Sequence, residues 1–391
     1  MRTRTVSLAF ACALAGLIGG LWLGGHPESL PDPLRDAFVS DDRAVRAEII
    51  DKIRESYYKP VDEKNLDTAS YKGIVRALRD PFSHYLTPSE AKHLRQSVEG
   101  RFDGVGMTVE DDRRGLRVLS VFAGSPARRA GIRAGDLITA VNGRSIAGVG
   151  AEAATGRIKG PPGTRVRLEV LDARTRRRRS VELTRRRIEV PVARGRIVRS
   201  GGTELGVVRL VSFTSGAHGL LRREIDRVLR RGAKGLVLDL RGNGGGLLRE
   251  AVLVSSTFIE DGRIVSIRGR TRANRTEDAV GSAIDPDIPL VVLVDSRSAS
   301  ASEITAGALR DRGRATLVGT HTYGKGLVQE VEPLENGGVL ELTVASYYLP
   351  DGETIRPHKG IAPQLRARDD PRTARDEALP VALRTLLEKV R

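Results

Sequence analysis

Residues 291–311 read VVLVDSRSASASEITAGALRD, and this stretch decides the fold class of the region around it. The apolar run 290–294 predicts a buried strand, and the following pattern predicts a helix over about 301–311. A strand that passes through a short turn into a helix is the building unit of an α/β domain. Three serines alternate with alanines in that turn: Ser298, Ser300 and Ser302.

These serines allow two interpretations. A serine between a strand and a helix is well placed to act as a nucleophile, because the next backbone N–H and the helix N-terminus favour a developing negative charge. Serine is also frequent as the residue that caps a helix N-terminus. The segment alone leaves both interpretations open.

The sequence upstream of this stretch predicts further domains. Strands at 205–210 and 235–240 flank a helix at 217–231, so we expect residues 189–366 to form an α/β core. Residues 97–188 instead contain short β-rich runs separated by turn signals, which predicts a small β-domain.

Both ends of the chain are predicted to be helical, at 41–96 and in a C-terminal tail at 367–391. Thr87, Pro88 and Glu90 follow the pattern of a helix N-terminus, with a cap, a first-turn proline and a capping-box acid. The predicted fold is therefore a multidomain combination of α+β and α/β parts: a helical N-terminal region, a β-domain and an α/β core.

Composition restricts the classes of function. The chain has 391 residues, 40% of them hydrophobic, which fits two or three globular domains. Its single cysteine, Cys12, excludes an intramolecular disulfide and a cysteine-based metal site. The net charge of +16 is consistent with binding to an acidic partner or with basic residues scattered over the surface. Only 4% of the residues are aromatic, which argues against nucleic acid as that partner, since few side chains could stack on bases.

The N-terminal segment 1–25 predicts export. Arg2 and Arg4 precede an uncharged run over 5–25, which is long enough to span a bilayer. We interpret it as a signal-anchor or a signal peptide, followed by a linker at 26–40. The expected location is the extracytoplasmic face of the cell envelope, with a membrane contact through this segment.

The glycine-rich stretch 319–326, GTHTYGKG, resembles a phosphate-binding loop, but Gly326 occupies the position of the hydroxyl that would hold magnesium. The residues after it alternate like a strand, whereas a phosphate-binding loop leads into a helix. Lys325 is therefore a better candidate for a neutral catalytic amine, with Gln329 on the same side of the strand. A histidine base is the alternative, and the candidates are His218, His321 and His358.

Taken together, SASASE at 298–303 and YGKG at 323–326 resemble the carboxyl-terminal processing proteases, PDZ-containing serine peptidases with a Ser–Lys dyad. The resemblance implies that Ser300 is the nucleophile, Lys325 the base and Gln329 an assisting residue. It implies no metal and no cofactor.

The resemblance extends to DLRGNGGG at 239–246, where Gly244 stands in place of the family's proline. In the family this loop supplies one amide of the oxyanion hole. The candidates here are the backbone N–H groups of Ala301 and of Gly245 or its neighbour.

Residues 97–188 are similar to the family's PDZ domain. FDGVGM at 102–107 resembles the loop whose amides receive a peptide carboxylate, which gives four candidate binding residues. They are Gly104, Val105, Gly106 and Met107. Lys159 is a candidate for coupling this domain to the active site.

The resemblance implies an extracytoplasmic endopeptidase that binds proteins or peptides with an unfolded segment or a free C-terminus. It also allows a homodimer in which the helical termini pair. Two alternatives stay open at this stage: a non-catalytic PDZ adaptor that only tethers peptides, and a nucleotide-binding protein.

Overall fold

The computed structural model describes residues 41–59, 61–357, 359–370, 372–373 and 375–390. The predicted signal segment and linker lie outside these residues. Among the described helices, none combines the length and the apolar character that crossing a membrane requires. The chain divides into two compact units, Met1–Tyr85 and Leu86–Arg391.

The described part of the first unit is helical. Helix α1 spans Asp41–Ser56 and helix α2 spans Glu63–Arg76, with strand β1 (His84–Leu86) at the boundary between the units. The Asp62 side chain caps α2 by accepting a hydrogen bond from the Lys64 amide at 3.0 Å.

The second unit begins with helix α3, Pro88–Glu99, which has the N-terminus that the sequence predicts. The Glu90 carboxylate accepts from the Thr87 amide at 2.8 Å, and the Thr87 hydroxyl accepts from the Glu90 amide at 3.4 Å. The predicted helical region 41–96 is therefore split, because α3 belongs to the same unit as the β-domain and the core.

The β-domain contains eight strands and two short helices. The strands are β2 Arg101–Gly104, β3 Met107–Asp112, β4 Gly115–Val121, β5 Leu137–Val141, β6 Arg144–Ser145, β7 Arg165–Leu171, β8 Arg178–Thr184 and β9 Arg186–Glu189. The helices are α4 Pro126–Arg129 and α5 Ala151–Ile158. One sheet has the order β3-β4-β5-β7-β8 with β6 beside β5, and β2 pairs with β9 separately.

The sequence predicts one strand over 105–109, but the chain turns there between β2 and β3. The carbonyl of Val105 accepts from the Ala127 amide at 2.9 Å, and that of Gly106 accepts from the Phe122 amide at 3.0 Å. These carbonyls bond to the segment around α4, so the chain turns at these two residues and the strand begins only at Met107.

The core contains two sheets and four helices. The main sheet has the order β10-β11-β12-β15-β16-β19, in which only β10 runs antiparallel to its neighbour. Its strands are β10 Ala193–Ser200, β11 Thr203–Leu210, β12 Leu236–Asp239, β15 Leu290–Val294, β16 Thr316–Gly319 and β19 Leu365–Arg366. The helices are α6 Ala217–Arg230, α7 Leu248–Ser256, α8 Ala301–Asp311 and α9 Ala378–Val390.

Both faces of the main sheet are covered, which explains the unbroken apolar run of β15. Leu290, Val292 and Val294 share a buried cluster with residues of α6, α7 and α8. Val291 and Leu293 face the other way, into a cluster with α9. The segment predicted as a C-terminal tail thus includes a helix that forms one layer of the core.

The second core sheet is antiparallel and lies next to the serine turn. It includes strands β13 Arg263–Gly269, β14 Arg275–Asp278, β17 Leu327–Pro333 and β18 Val339–Tyr348. Strand β18 pairs with both β17 and β13, and β13 pairs with β14.

Candidate active site

Ser300 occupies the turn between β15 and α8 with a strained backbone. Its φ is 54° and its ψ is −113°, whereas side-chain-bearing residues favour negative φ. Such a conformation costs on the order of 1–3 kcal/mol and is typical of functional sites. The helix N-terminus that follows places a positive partial charge next to the hydroxyl.

The other two serines of the motif are buried and structural. The Ser298 hydroxyl donates to the Leu240 carbonyl at 2.9 Å, and the Ser302 hydroxyl donates to the Asn243 carbonyl at 2.8 Å. Ser300 alone among the three is half-buried and lines a cleft. The alternation in the sequence therefore separates two anchoring serines from one that substrate can reach.

Lys325 lies in the segment between β16 and β17, and a strand follows it rather than a helix. A side chain at Gly326 would bring its Cβ to 2.2 Å from the Ile355 carbonyl oxygen, so the magnesium-binding hydroxyl of a phosphate loop has no room there. Without that hydroxyl and without a helix N-terminus, the segment lacks the features that bind nucleotide phosphates.

Ser300, Lys325 and Gln329 line the same cleft, which has a volume of about 980 Å³. Apolar side chains form much of its wall: Leu94, Val98, Leu248, Val252, Val328 and Tyr347. Burial raises the pKa of Tyr347 to about 12, so its phenol stays neutral at physiological pH.

Gln329 lines the cleft, but not because it lies on the same side of one strand as Lys325. The strand β17 begins at Leu327, after Lys325, so strand alternation does not relate the two side chains. The register between β17 and β18 shifts between Val328 and Gln329, as at a β-bulge. The Gln329 amide nitrogen donates to the Thr343 hydroxyl at 3.2 Å, which leaves the amide oxygen as its acceptor atom.

Ala301 is the first residue of α8, and a first-turn amide has no acceptor within its own helix. Its nitrogen faces the 244–246 loop: a Cβ built on Gly245 would lie 3.0 Å from the Ala301 nitrogen and 3.0 Å from the Ser300 Cβ. This close approach makes the Ala301 amide a suitable oxyanion donor beside the serine.

The prediction of Gly245 as the second donor needs a correction. Its own amide donates to the Asn243 side-chain oxygen at 2.9 Å inside the loop. Gly244 and Gly246 line the cleft, whereas Gly245 does not. The amide of a neighbouring glycine, Gly244 or Gly246, is therefore the better candidate.

Asp295 and Asn243 hold the glycine loop against the serine turn. The Asp295 carboxylate accepts from the Gly242 amide at 2.9 Å, and the Asn243 carbonyl accepts from the Ala299 amide at 3.1 Å. Burial alone would raise the pKa of Asp295, but the hydrogen bonds from Gly242 and Arg297 bring it below its usual value.

Glu303 is a site residue that the sequence reasoning missed. It is fully buried, and its carboxylate accepts hydrogen bonds from both the serine turn and the lysine segment. The spacing from Ser300 to Glu303 matches a capping box, which is the signal that singles out a glutamate here. That pattern gives no sign of the bonds to residues about twenty positions further along the chain.

The two described histidines that could have served as the base do not line the cleft that contains Ser300. The His218 ring nitrogen Nδ1 lies 2.8 Å from the Glu250 carboxylate, and neither His218 nor His321 lines the cleft of Ser300. His358 lies outside the described residues. Over the part of the chain that the structure describes, no group of three or more His, Cys, Asp or Glu residues is arranged to hold a metal ion.

A second cavity, of about 620 Å³, includes the groove between β3 and α5 and is also lined by residues of α3, β2 and the core. Met107 lines it, together with Thr108, Val109, Thr155 and Lys159. Gly104 ends β2 and is followed by the turn at Val105 and Gly106; all three residues are buried and do not line the cavity. Lys159 lines this groove and not the active-site cleft, so its coupling role stays a hypothesis.

Comparison with known proteins gives consistent matches. A model of peptidase family S41 matches residues 204–367, and a PDZ-domain model matches residues 117–172. The carboxy-terminal processing protease CtpA of Bacillus subtilis (strain 168) is 34% identical over 319 residues, which cover 81% of this chain and 67% of that protein.

A second relative and one solved structure also match the chain. The carboxy-terminal-processing protease of Bartonella bacilliformis is 36% identical over 324 residues, covering 81% of this chain and 73% of that protein. Among solved structures, a photosystem II D1 C-terminal processing protease matches with a TM-score of 0.49 and 32% identity, over 86% of this chain and 90% of that chain.

Proposed function

The chain belongs to peptidase family S41 and carries a PDZ domain, and from this premise we propose that it cleaves peptides with a Ser300–Lys325 dyad. The family membership confirms the predicted serine peptidase and the predicted combination of a PDZ β-domain with a protease core. The observation that carries the proposed mechanism is one cleft that joins a strained serine, a lysine and a glutamine.

The first half of the reaction forms an acyl-enzyme. Neutral Lys325 removes the proton from the Ser300 hydroxyl as its oxygen attacks the carbonyl carbon of the scissile bond. The amide of Ala301 and the amide of Gly244 or Gly246 donate to the oxyanion of the tetrahedral intermediate. The Lys325 ammonium then returns the proton to the leaving amine, the C–N bond breaks, and an ester to Ser300 remains.

In the second half, water attacks the ester. Lys325 takes a proton from that water, and the second tetrahedral intermediate collapses with protonation of the Ser300 oxygen. Gln329 orients the lysine through its amide oxygen, since its amide nitrogen already donates to Thr343. No metal or cofactor takes part in these steps.

The groove between β3 and α5 is the proposed site for an extended substrate segment. A strand edge beside a helix accepts a peptide as an added strand, and the buried residues 104–106 precede that strand. We propose that it takes an unfolded segment or a free C-terminus. The names of the relatives, which are carboxy-terminal processing proteases, support this choice.

The proposed location is the extracytoplasmic face of the cell envelope. The support is the pair Arg2 and Arg4 followed by the uncharged run 5–25, which is typical of a signal-anchor or signal peptide. A homodimer remains part of the proposal on the strength of the family resemblance alone.

Incubation with an unfolded protein tests the proposed function directly. Fragments mapped by mass spectrometry should appear with the parental chain and be absent with Ser300→Ala, while that variant keeps its thermal unfolding midpoint. A PDZ adaptor would bind the same protein with no fragments from either form. Cleavage by Ser300→Ala at the parental rate would contradict the proposal.

A further inference from the structure

The two segments that carry the proposed dyad converge on the buried carboxylate of Glu303. One oxygen, Oε2, accepts from the amides of Ser300 and Lys325, each at 2.8 Å. The other, Oε1, accepts from the Gly324 amide at 2.7 Å and from the Thr322 hydroxyl at 2.5 Å. One side chain therefore bonds the backbone of the nucleophile and the backbone of the base.

The chemistry of these contacts calls for a carboxylate. Three of the four partners are backbone N–H groups, which can only donate, so both carboxyl oxygens act as acceptors. Hydrogen bonds to an ionised acceptor are roughly twice as strong as neutral ones. A glutamine of the same shape would turn one oxygen into an NH₂ donor, which would then face N–H groups that also donate.

Neither reacting residue is held in place by regular secondary structure. Ser300 precedes α8 with a positive φ, and Lys325 precedes β17. A second tether joins the same segments, where the Tyr323 amide donates to the Ser298 carbonyl at 3.0 Å. That bond ends two residues away from each reacting residue, whereas the Glu303 bonds end on Ser300 and Lys325 themselves.

We propose that Glu303 is a positioning residue, which acts through Ser300 and Lys325 by fixing their separation for proton transfer. The inference rests on the proposed function of that dyad. Misplacement of a reacting group by about 1 Å can lower a rate about 10²-fold, so small movements of these two segments should be visible in kcat.

Glu250 offers a matched comparison within the same chain. It is also buried, and it accepts from the amides of Gly216 at 2.8 Å and His218 at 3.0 Å at the start of α6. It bonds neither Ser300 nor Lys325 and does not line the cleft. Loss of its charge tests what a buried, helix-capping carboxylate contributes to stability alone.

The test compares Glu303→Gln with Glu250→Gln by steady-state kinetics on a fluorogenic peptide, with thermal unfolding as the stability readout. For Glu303→Gln we expect kcat to fall about 10²-fold while KM stays within about threefold, because binding is preserved and alignment is lost. Labelling of Ser300 by a fluorophosphonate should slow in parallel. Glu250→Gln should keep kcat within about twofold of the parental value.

A parental kcat in folded Glu303→Gln would overturn the proposal, and so would equal losses of kcat in both variants. If Glu303→Gln does not fold, Thr322→Val and Thr322→Ser decide. The valine removes the hydroxyl that donates to Glu303 and accepts from the Ile361 amide, and it should lower kcat about tenfold; the serine keeps both bonds and should restore kcat. Equal kcat in these two variants would overturn the proposal.

The Ser300→Ala variant distinguishes a failure of the positioning role of Glu303 from a failure of the Ser300–Lys325 dyad. If Ser300→Ala still cleaves the peptide, the dyad is wrong and the role of Glu303 falls with it. If Ser300→Ala is inactive while Glu303→Gln retains full kcat, only the positioning role is wrong.

Discussion

The serine turn and the PDZ turn are both tight connections beside a strand, yet they are held in different ways. Around Ser300, the carboxylates of the buried Glu303 and the half-buried Asp295 accept hydrogen bonds from backbone N–H groups. In the turn at Val105 and Gly106, the two backbone carbonyls instead accept from backbone amides, those of Ala127 and Phe122. Chemistry requires side-chain atoms at fixed separations, whereas added-strand binding requires a strand edge and a shaped wall.

Helix α3 borders both sites. Leu94, Arg95 and Val98 line the active-site cleft, while His93 and Gln96 line the PDZ-side cavity. Residues of this one helix therefore line both cavities. Variants that affect only one of them can be assayed in the same intact protein.

The largest expected effect comes from removal of the amine. Lys325→Met should lower kcat/KM about 10³-fold or more, because the general base is lost while the side-chain volume is nearly kept. The affinity for a peptide in the PDZ groove, measured by fluorescence anisotropy, should not change. Lys359→Met, at an exposed lysine, is the control and should match the parental enzyme. A residual activity above a tenth would contradict the assignment of the base.

A smaller loss is expected where the glycine loop contacts the serine turn. Gly245→Ala would place a Cβ 2.7 Å from the Ala299 carbonyl oxygen and 3.0 Å from the Ser300 Cβ, at a φ of +100°. We expect kcat to fall about 10²-fold through displacement of the turn. Gly219→Ala, in helix α6, is the control, because the nearest atom to its Cβ would be the end of the Arg223 side chain at 4.0 Å. Equal kcat in the two variants would show that the loop does not hold the serine.

A change in the groove should alter binding rather than chemistry. Thr155→Glu places a carboxylate in the cavity where a substrate's C-terminal segment is proposed to lie. KM for a substrate with a free C-terminus should rise about tenfold, with kcat little changed. Ala153→Glu, on the exposed side of the same helix, should leave KM unaltered. A fall in kcat at constant KM would mean that the groove acts on the chemical step.

The smallest effect concerns pH and the serine turn. Because the pKa of Asp295 is held below its usual value in the folded chain, its ionised form stabilises the fold above about pH 4, and this contribution is lost as pH falls through the folded pKa. Asp295→Asn should therefore show a shallower fall of Tm between neutral and acidic pH, measured by calorimetry. Parallel Tm profiles for the two proteins would contradict that role.

Much of this molecule could be predicted from local sequence patterns. The run 290–294 is unbroken because both faces of β15 are covered, and the cap at Thr87 follows a local rule. Ser300 and Lys325 stood out because a strand-to-helix serine and a glycine-flanked lysine are unusual settings for those residue types.

The contacts made at long sequence separation were not predictable in this way. Nothing in the residues around Glu303 signals that its carboxylate also bonds Gly324 and Lys325. The Gly245 amide donates to the Asn243 side chain only because that side chain folds back within the same loop. The turn at residues 105–106 is set by partners near α4, which a search for alternating β-rich runs does not detect.

A neutral Lys325 that activates Ser300 should leave an ester between the serine and the substrate during turnover. Intact-protein mass spectrometry of the enzyme with a slow peptide ester, quenched in acid, detects this ester. An added acyl mass that maps to Ser300 should appear in the parental chain and be absent from Lys325→Met. An acyl mass on another residue, or the same yield in Lys325→Met, would contradict this mechanism.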